Sequence, residues 1–346
     1  MKRKVVNALL KPESYDEEIT DIKMIQTHIS WVFLTGKYAY KVKKPVDFKF
    51  LDFTTLNKRE HYCEEEIRVN KPLCGDMYVG VVPITKGREI KVGGNGEVIE
   101  YAVKMRELPQ RFIMEKYLKK GKVNEIEIEK IADKLADFHL NANTGKGVNK
   151  YGSISQITRN WDQNFEQTKE MRGNIVESYK YDFIEKNVMS FILRNNALFK
   201  ERVKKDCIRE CHGDVHSKNI FLLKESDEIY IFDAIEFNRE FSCSDVIAEI
   251  AFLAMDLDFH KQPNLANHLV KCYIEHTKDL ELYKLLSFYK CYRAFVRAKV
   301  HGFKLSDTTL SKKEKNLETK KIKGYYNLAY QYSKDLFQQQ FNPYLF

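Results

Sequence analysis

No apolar run in the 346-residue chain approaches the roughly 20 residues needed to cross a bilayer as a helix, which argues against a helical membrane protein. The stretch after Met1-Lys2-Arg3-Lys4 contains Asn7 and stops at Lys11-Pro12, far short of a signal-peptide core. Cysteine is sparse: seven residues, at positions 63, 74, 207, 211, 243, 272 and 291, show neither CxxC ligand pairs nor the density of a disulfide scaffold. A soluble protein of the reducing cytoplasm is the expectation. Internal repeats and low-complexity linkers are missing, since Gln338-Gln339-Gln340 is too short to count. Two phosphate-binding signatures are absent as well. There is no G-x-x-x-x-G-K-[ST], which argues against a P-loop ATPase, and no G-x-G-x-x-G between the first strands. Charge of one sign is not dominant, with 58 basic against 49 acidic residues and a formal net charge of +9. Nucleic acid is permitted by that balance but not demanded, and the even scatter of acidic residues speaks against it.

What the chain does have is core-forming material, 43% hydrophobic, enough for two packed regions. From about Lys23 to Arg106 the pattern is that of strands. Thr27 to Leu34 and Tyr38 to Lys43 read as a hairpin around Thr35-Gly36-Lys37. The charged amphipathic stretch Thr55 to Leu73 reads as a helix with Pro72 as a stop signal. Tyr78 to Thr85 and Glu89 to Arg106 return to strand character, with Gly93-Gly94-Asn95-Gly96 as a turn. Glu107-Leu108-Pro109 breaks the pattern, so boundaries are expected at 1–106, 107–110 and 111–346. Downstream, Ile128, Ile131, Ala132, Leu135, Ala136, Phe138 and Leu140 form one helical stripe, with His139 as a core histidine. A long helix is expected from about Tyr179 to Lys205, two short strands at Asn219 to Leu223 and Ile229 to Phe232, and helices from Asp245 onward.

The chemistry concentrates in Cys211-His212-Gly213-Asp214-Val215-His216-Ser217-Lys218-Asn219, followed by the hairpin that ends at Asp233. An Asp, an Asn five residues later and a second Asp closing the hairpin form the arrangement that a kinase uses around its metals. Asp214 is placed to take the proton of an incoming hydroxyl. Asn219 and Asp233 offer the hard oxygen donors that Mg2+ prefers. His212 and His216 with Cys211 could also suggest zinc, but Gly213 and the neighbouring strand argue against the helix that would align them.

The loop His212-Gly213-Asp214-Val215-His216-Ser217-Lys218-Asn219 resembles that of the aminoglycoside phosphotransferase and choline kinase branch of the protein-kinase-like superfamily. Thr27-His28-Ile29-Ser30, Ala39 to Pro45, Phe50 to Phe53 and Asp233 to Asn238 are similar to an uncharacterised bacterial aminoglycoside-phosphotransferase-like subfamily, over about residues 15 to 300. The resemblance implies an α+β, two-lobed protein-kinase-like fold. Its N-terminal lobe would be an antiparallel sheet plus a helix that binds nucleotide, and its C-terminal lobe mainly helical, carrying catalysis and acceptor binding. It implies ATP, with GTP as the alternative, and Mg2+. Residues carried over for the nucleotide are Lys41, its rival Lys43 on the same strand face, Glu66 among Glu64, Glu65 and Glu66 as the orienting carboxylate, and Glu107 at the hinge. The resemblance makes Asp214 the catalytic residue, Asn219 and Asp233 the metal ligands, and His212 and Asp245 supports of the site, while Ser244 or Asp245 also reads as the cap of the helix Val246 to Met255, apolar on nearly every side and expected to be buried. Trp161, Asp162 and Asn164 fall where such folds enclose the acceptor.

The departures from that pattern matter too. Ala234-Ile235 follows Asp233 in place of Phe-Gly, and about a dozen residues separate Asp233 from Asp245, too few for a protein kinase's activation segment. The expected acceptor is therefore a hydroxyl-bearing small molecule: a sugar, an aminoglycoside-like compound or an amino-alcohol. Glu236, Asp256 and Asp258 are the acids available for a polycation. A catalytically silent nucleotide-binding module is the alternative. Oligomeric state leaves no mark on the sequence.

Overall fold

The computed structural model describes residues 3–19 and 21–339; Met1-Lys2 and Gln340 lie outside them. The chain divides into two compact units, one made of residues up to Lys116 with Lys218–Ser242, the other of Tyr117–Ser217 with the chain from Cys243 onward.

The first unit is built on a six-stranded antiparallel sheet: β1 (Lys23–Gln26), β2 (Ser30–Leu34), β3 (Tyr38–Lys43), β4 (Tyr78–Lys86), β5 (Ile90–Val92) and β6 (Glu97–Arg106), in the order β1-β2-β3-β6-β4-β5. Alternation along β3 sends Tyr40 and Val42 to one face, where Val5 and Leu9 of helix α1 (Arg3–Leu9) join them in a buried cluster. Ala39 goes to the other face with Cys63 and Cys74 of helix α2 (Leu56–Cys74) and Val103 and Met105 of β6. Thr55 Oγ1 caps α2 by accepting the Lys58 N–H. Pro72 lies inside the last turn, and the stop comes at Gly75, whose φ of +50° suits a residue without Cβ. A hairpin from far downstream, Ile220–Leu223 paired with Glu228–Ile231, belongs to this unit and completes its second cluster with Phe221 and Tyr230.

The second unit is helical, with α3 (Glu125–Asn141), α4 (Ile154–Thr168), α5 (Ser178–Arg194), α6 (Asn196–Lys204), α7 (Val246–Phe259), α8 (Pro263–Thr277), α9 (Leu282–Leu305) and α10 (Lys312–Gln338). One short antiparallel pair, Ile208–Glu210 with Cys243–Asp245, accompanies them. A capping box of Asn124 and Glu127 starts α3. Its stripe runs Ile128, Ala132, Leu135, Ala136 and then His139; Leu140, expected on it, is exposed, because twelve residues beyond Ile128 a 3.6-residue period has rotated about a third of a turn away. The single helix expected from Tyr179 to Lys205 is two, broken at Asn195. Every residue of α7 from Val246 to Leu257 is buried, including Glu249 and Asp256. All seven cysteines are free, and six are buried; Cys207 is half-buried. Among the described residues, no helix is long and apolar enough to cross a membrane.

Candidate active site

In the first unit the site grows from the pairing of β3 with α2. Register Lys41↔Val32 and Lys41↔Val103 fixes Lys41 in the middle of the sheet, and Lys43 leaves the same face two residues on. Both reach Glu66: Lys41 Nζ lies 2.8 Å from Oε1 and Lys43 Nζ 2.6 Å from Oε2. Glu64 and Glu65 do not take this place; Glu65 pairs with Arg68 on the outer side of the helix. Burial alone would raise the Glu66 carboxyl, but the two ammonium groups override it and hold it at about 2. Lys43 is fully buried and also paired with Glu236, whereas Lys41 keeps 13% of its side chain exposed and bonds Asp233 Oδ1 at 2.6 Å. Burial works against the charge of Lys41, and Asp233 and Glu66 outweigh it, keeping the pKa well above the ordinary lysine value.

Asp233 sits at the end of the hairpin with φ +66°, a left-handed backbone that Asp tolerates better than most residues. Three contacts fix it there. Tyr78 Oη accepts the Asp233 N–H (3.3 Å), Asn70 Oδ1 accepts the Ala234 N–H (2.9 Å), and the Cys74 thiol donates to Ile231 O (3.0 Å). Asn70 is one helical turn after Glu66, so α2 positions both the lysine pair and the strand end. Asn219 lies across the hairpin, its backbone carbonyl accepting at 2.9 Å the N–H of Phe232, the residue before Asp233. A carboxylate and an amide on adjacent backbones form an oxygen donor set that fits magnesium. Glu107, expected at the hinge, has its carboxylate on the Gly36 N–H (2.7 Å) in the β2–β3 turn.

In the second unit the loop Cys211–Ser217 is held by buried carboxylates of α7. Glu249 accepts the N–H groups of His212 (3.1 Å) and Gly213 (2.6 Å), and Asp256 accepts that of Ser217 (2.8 Å). Arg293 of α9 donates to Gly213 O (3.1 Å), and Gly213 has φ +88°. His212 Nδ1 accepts the Asp214 N–H at 3.2 Å, and His216 Nε2 stands 3.4 Å from Asp214 Oδ2. Burial pushes the Asp214 carboxyl up, yet His216 and Arg297 prevail and bring it to about 2, so it is a carboxylate at neutral pH.

Asp245 takes one of its two expected roles, the helix cap, and not that of loop support. Its carboxylate takes Arg202 in a two-pronged pair (2.7 and 2.9 Å) and caps α7 at the Ile247 N–H (3.0 Å). The loop backbone is supported instead by Glu249 and Asp256, one and three turns further along the helix. Neither was singled out as a support by sequence, although carboxylates buried on a wholly apolar helix are a signal in themselves. Asn70, Tyr78 and Glu236 were also missed in the roles they take here. Among the described residues, His212 and His216 do not fall in a cluster of three metal-ligand atoms. His139, Cys211 and Glu249 do bring ligand-type atoms within 4.8 Å of one another, but His139 already bonds Glu249 (2.9 Å) and Tyr273 (2.8 Å), and burial keeps the Cys211 thiol protonated. Trp161 is a core residue among Phe165, Tyr292 and Phe295; Asp162 is exposed; Asn164 Oδ1 accepts from Lys299 Nζ (2.6 Å).

No protein-family model matches the chain. A curated relative, an uncharacterised protein of Mycobacterium tuberculosis, is 31% identical over 291 residues, which are 84% of this chain and 56% of that protein. The chain thus spans little more than half the length of the relative it matches. Choline kinase from Cryptosporidium parvum superposes with a TM-score of 0.57 at 10% identity, over 98% of this chain and 97% of the other. An amicoumacin kinase in complex with AMP-PNP, Ca2+ and Ami gives 0.52 at 14% identity, over 94% of each. The chain therefore has the α+β protein-kinase-like fold of choline kinases and aminoglycoside phosphotransferases.

Proposed function

We propose that the chain is a small-molecule kinase that moves the γ-phosphoryl group of ATP to a hydroxyl. The observation that carries this reading is Lys41, in contact with both Glu66 and Asp233 and still partly exposed, while Lys43 is sealed between Glu66 and Glu236. Lys41 is then the lysine for the phosphates, Glu66 orients it, and Lys43 anchors Glu66. Asn219 and Asp233 would hold magnesium, which when bound neutralises phosphate charge. Asp214, ionised at neutral pH, accepts the hydroxyl proton as the acceptor oxygen bonds to the γ-phosphorus. The bond from that phosphorus to the bridging oxygen breaks, and ADP leaves with its electrons. Positioning supplies most of the acceleration, with roughly 10² to 10⁴ fold from the base. Glu107 acts by holding the β2–β3 turn, and the segment 107–110 serves as the hinge. The names of the solved relatives, kinases for choline and amicoumacin, support a small alcohol acceptor, and seven free cysteines fit a cytoplasmic setting.

Thermal shift with ATP, GTP and magnesium varied separately tests the nucleotide site. A ligand bound to the folded state at a hundredfold over its Kd stabilises by about 2.7 kcal/mol. Magnesium-ATP is expected to raise the melting point of the wild type and not of Asp233→Ala, and Asp214→Ala to keep the shift while losing turnover. No shift with any nucleotide at millimolar concentration removes the kinase reading. Binding without transfer to any acceptor favours the silent module.

A further inference from the structure

Helix α9 carries two arginines one turn apart on one face, Arg293 and Arg297. Arg293 donates to Gly213 O (3.1 Å) and Ala248 O (3.0 Å), so this is the face that meets the catalytic loop. Among the described residues, neither guanidinium has a carboxylate at ion-pair distance. Tyr325 is the hydrogen-bond partner of the Arg297 guanidinium, Asp214 and Asp256 act on it through space only, and its Nε is buried with no hydrogen-bond partner. An arginine of this kind has unused donors and a charge that is only partly balanced.

The acids that would welcome a polycation are committed elsewhere. Asp256 accepts the Ser217 N–H, Asp258 takes Lys290 Nζ (2.5 Å) and the Tyr332 hydroxyl, and Glu236 takes Lys43. Glu318, on the helix facing α9, is bound to Lys321 (2.6 Å) and His301. Arg293 is spent on the loop backbone, so Arg297, with its unpartnered Nε and no matching surplus of carboxylate, is the head that suits an acceptor of the opposite charge.

We propose that the acceptor is an anionic hydroxyl compound, its carboxylate or phosphate group held by Arg297 while Asp214 takes the proton of its hydroxyl. This rests on the kinase reading and narrows its substrate class. Arg297 provides a planar fork that matches such oxyanions, and it lies one turn along α9 from Arg293, which holds the loop at Gly213, the residue before Asp214. The transfer itself is unchanged: ATP supplies the phosphoryl group, and the products are ADP and the phosphate ester of the acid.

Matched acceptor pairs test this, each with and without the anion on one skeleton: glycerate against glycerol, and glucose 6-phosphate against glucose. Choline and kanamycin serve as cationic members. The wild type is expected to favour the anionic partner in kcat/KM, and Arg297→Gln to reduce that preference by about tenfold to a hundredfold, the worth of a charged hydrogen bond. The carboxylate and phosphate arms distinguish the two sources of charge. Preference for choline, kanamycin or the neutral skeletons overturns the proposal, as does a preference that Arg297→Gln leaves unchanged. So does weakened magnesium-ATP binding in Arg297→Gln with the acceptor ratio intact, which would assign the arginine to nucleotide. Nucleotide binding with no transfer to any panel member overturns it too. Thermal shift with magnesium-ATP on the same samples separates these results from failure of the kinase reading, in which no nucleotide binds at all.

Discussion

Glu66 carries two lysines on one buried carboxylate, and it cannot be removed cheaply. Substituting Gln leaves Lys41 and Lys43 sharing an uncharged amide, and breaking a buried pair in this way costs about 3 to 5 kcal/mol. The pH dependence follows from its depressed pKa. The folded-state value is about 2 against an unreacted 4.5, so the unfolded chain binds more protons as pH falls through that range. Stability from Glu66 is therefore complete above about pH 4.5 and is lost on acidification toward pH 2. Melting curves from pH 7 to 2 should show a steep acid-side fall for the wild type and a shallower one for Glu66→Gln. Parallel curves would mean that the carboxylate is not held down by its lysines. Lys41, Lys43 and Glu66 came from the family resemblance, and strand alternation added only that the two lysines share a face. That both lysines meet one carboxylate was not readable, because it depends on how close α2 lies to the sheet.

Helix α7 acts as a brace for the catalytic loop. Glu249 and Asp256 are seven residues apart, two turns on one face, and they grip the loop backbone at Gly213 and at Ser217. Glu249→Ala would leave the His212 and Gly213 N–H groups and His139 without an acceptor, each costing about 1 to 3 kcal/mol when buried. Denaturant unfolding should record the loss, and steady-state kinetics a fall in kcat larger than any rise in KM. Glu249→Gln keeps one amide oxygen for the loop and should recover part of kcat; equal damage in both variants would point to the charge rather than the bonds. The burial of α7 was legible from its unbroken apolar run, and so was Asp245 as its cap. Which carboxylate reaches the loop was not, since the answer turns on Arg202, 43 residues earlier, claiming Asp245 for itself. The break at Asn195 escaped for a similar reason: both halves are good helix formers, and only packing separates them.

At the scale of the molecule, chain order and packing order disagree. The hairpin of Ile220–Leu223 and Glu228–Ile231 follows the catalytic loop in sequence but belongs to the core of the first unit, where Phe221 and Tyr230 share a cluster with residues of α2 and β6. A fragment ending at Lys116 would lack those two rings and the strand that Cys74 and Asn70 bind. It should bind a hydrophobic dye and show little cooperative melting, and should release the dye and gain a cooperative transition when supplied with the hairpin segment 218–242; a cooperative transition in the short fragment alone would contradict this. Sequence periodicity shows where strands lie, not which distant segment they join, so this arrangement was invisible before the structure. The buried thiols, none of them in a disulfide, have a further use. Cys63 and Cys74 belong to one unit and Cys211, Cys243, Cys272 and Cys291 to the other, with half-buried Cys207 as an internal clock for fast alkylation. The native chain therefore carries its own set of opening reporters: the order in which a maleimide tags these positions, read by mass spectrometry, ranks the breathing of each unit without an introduced label.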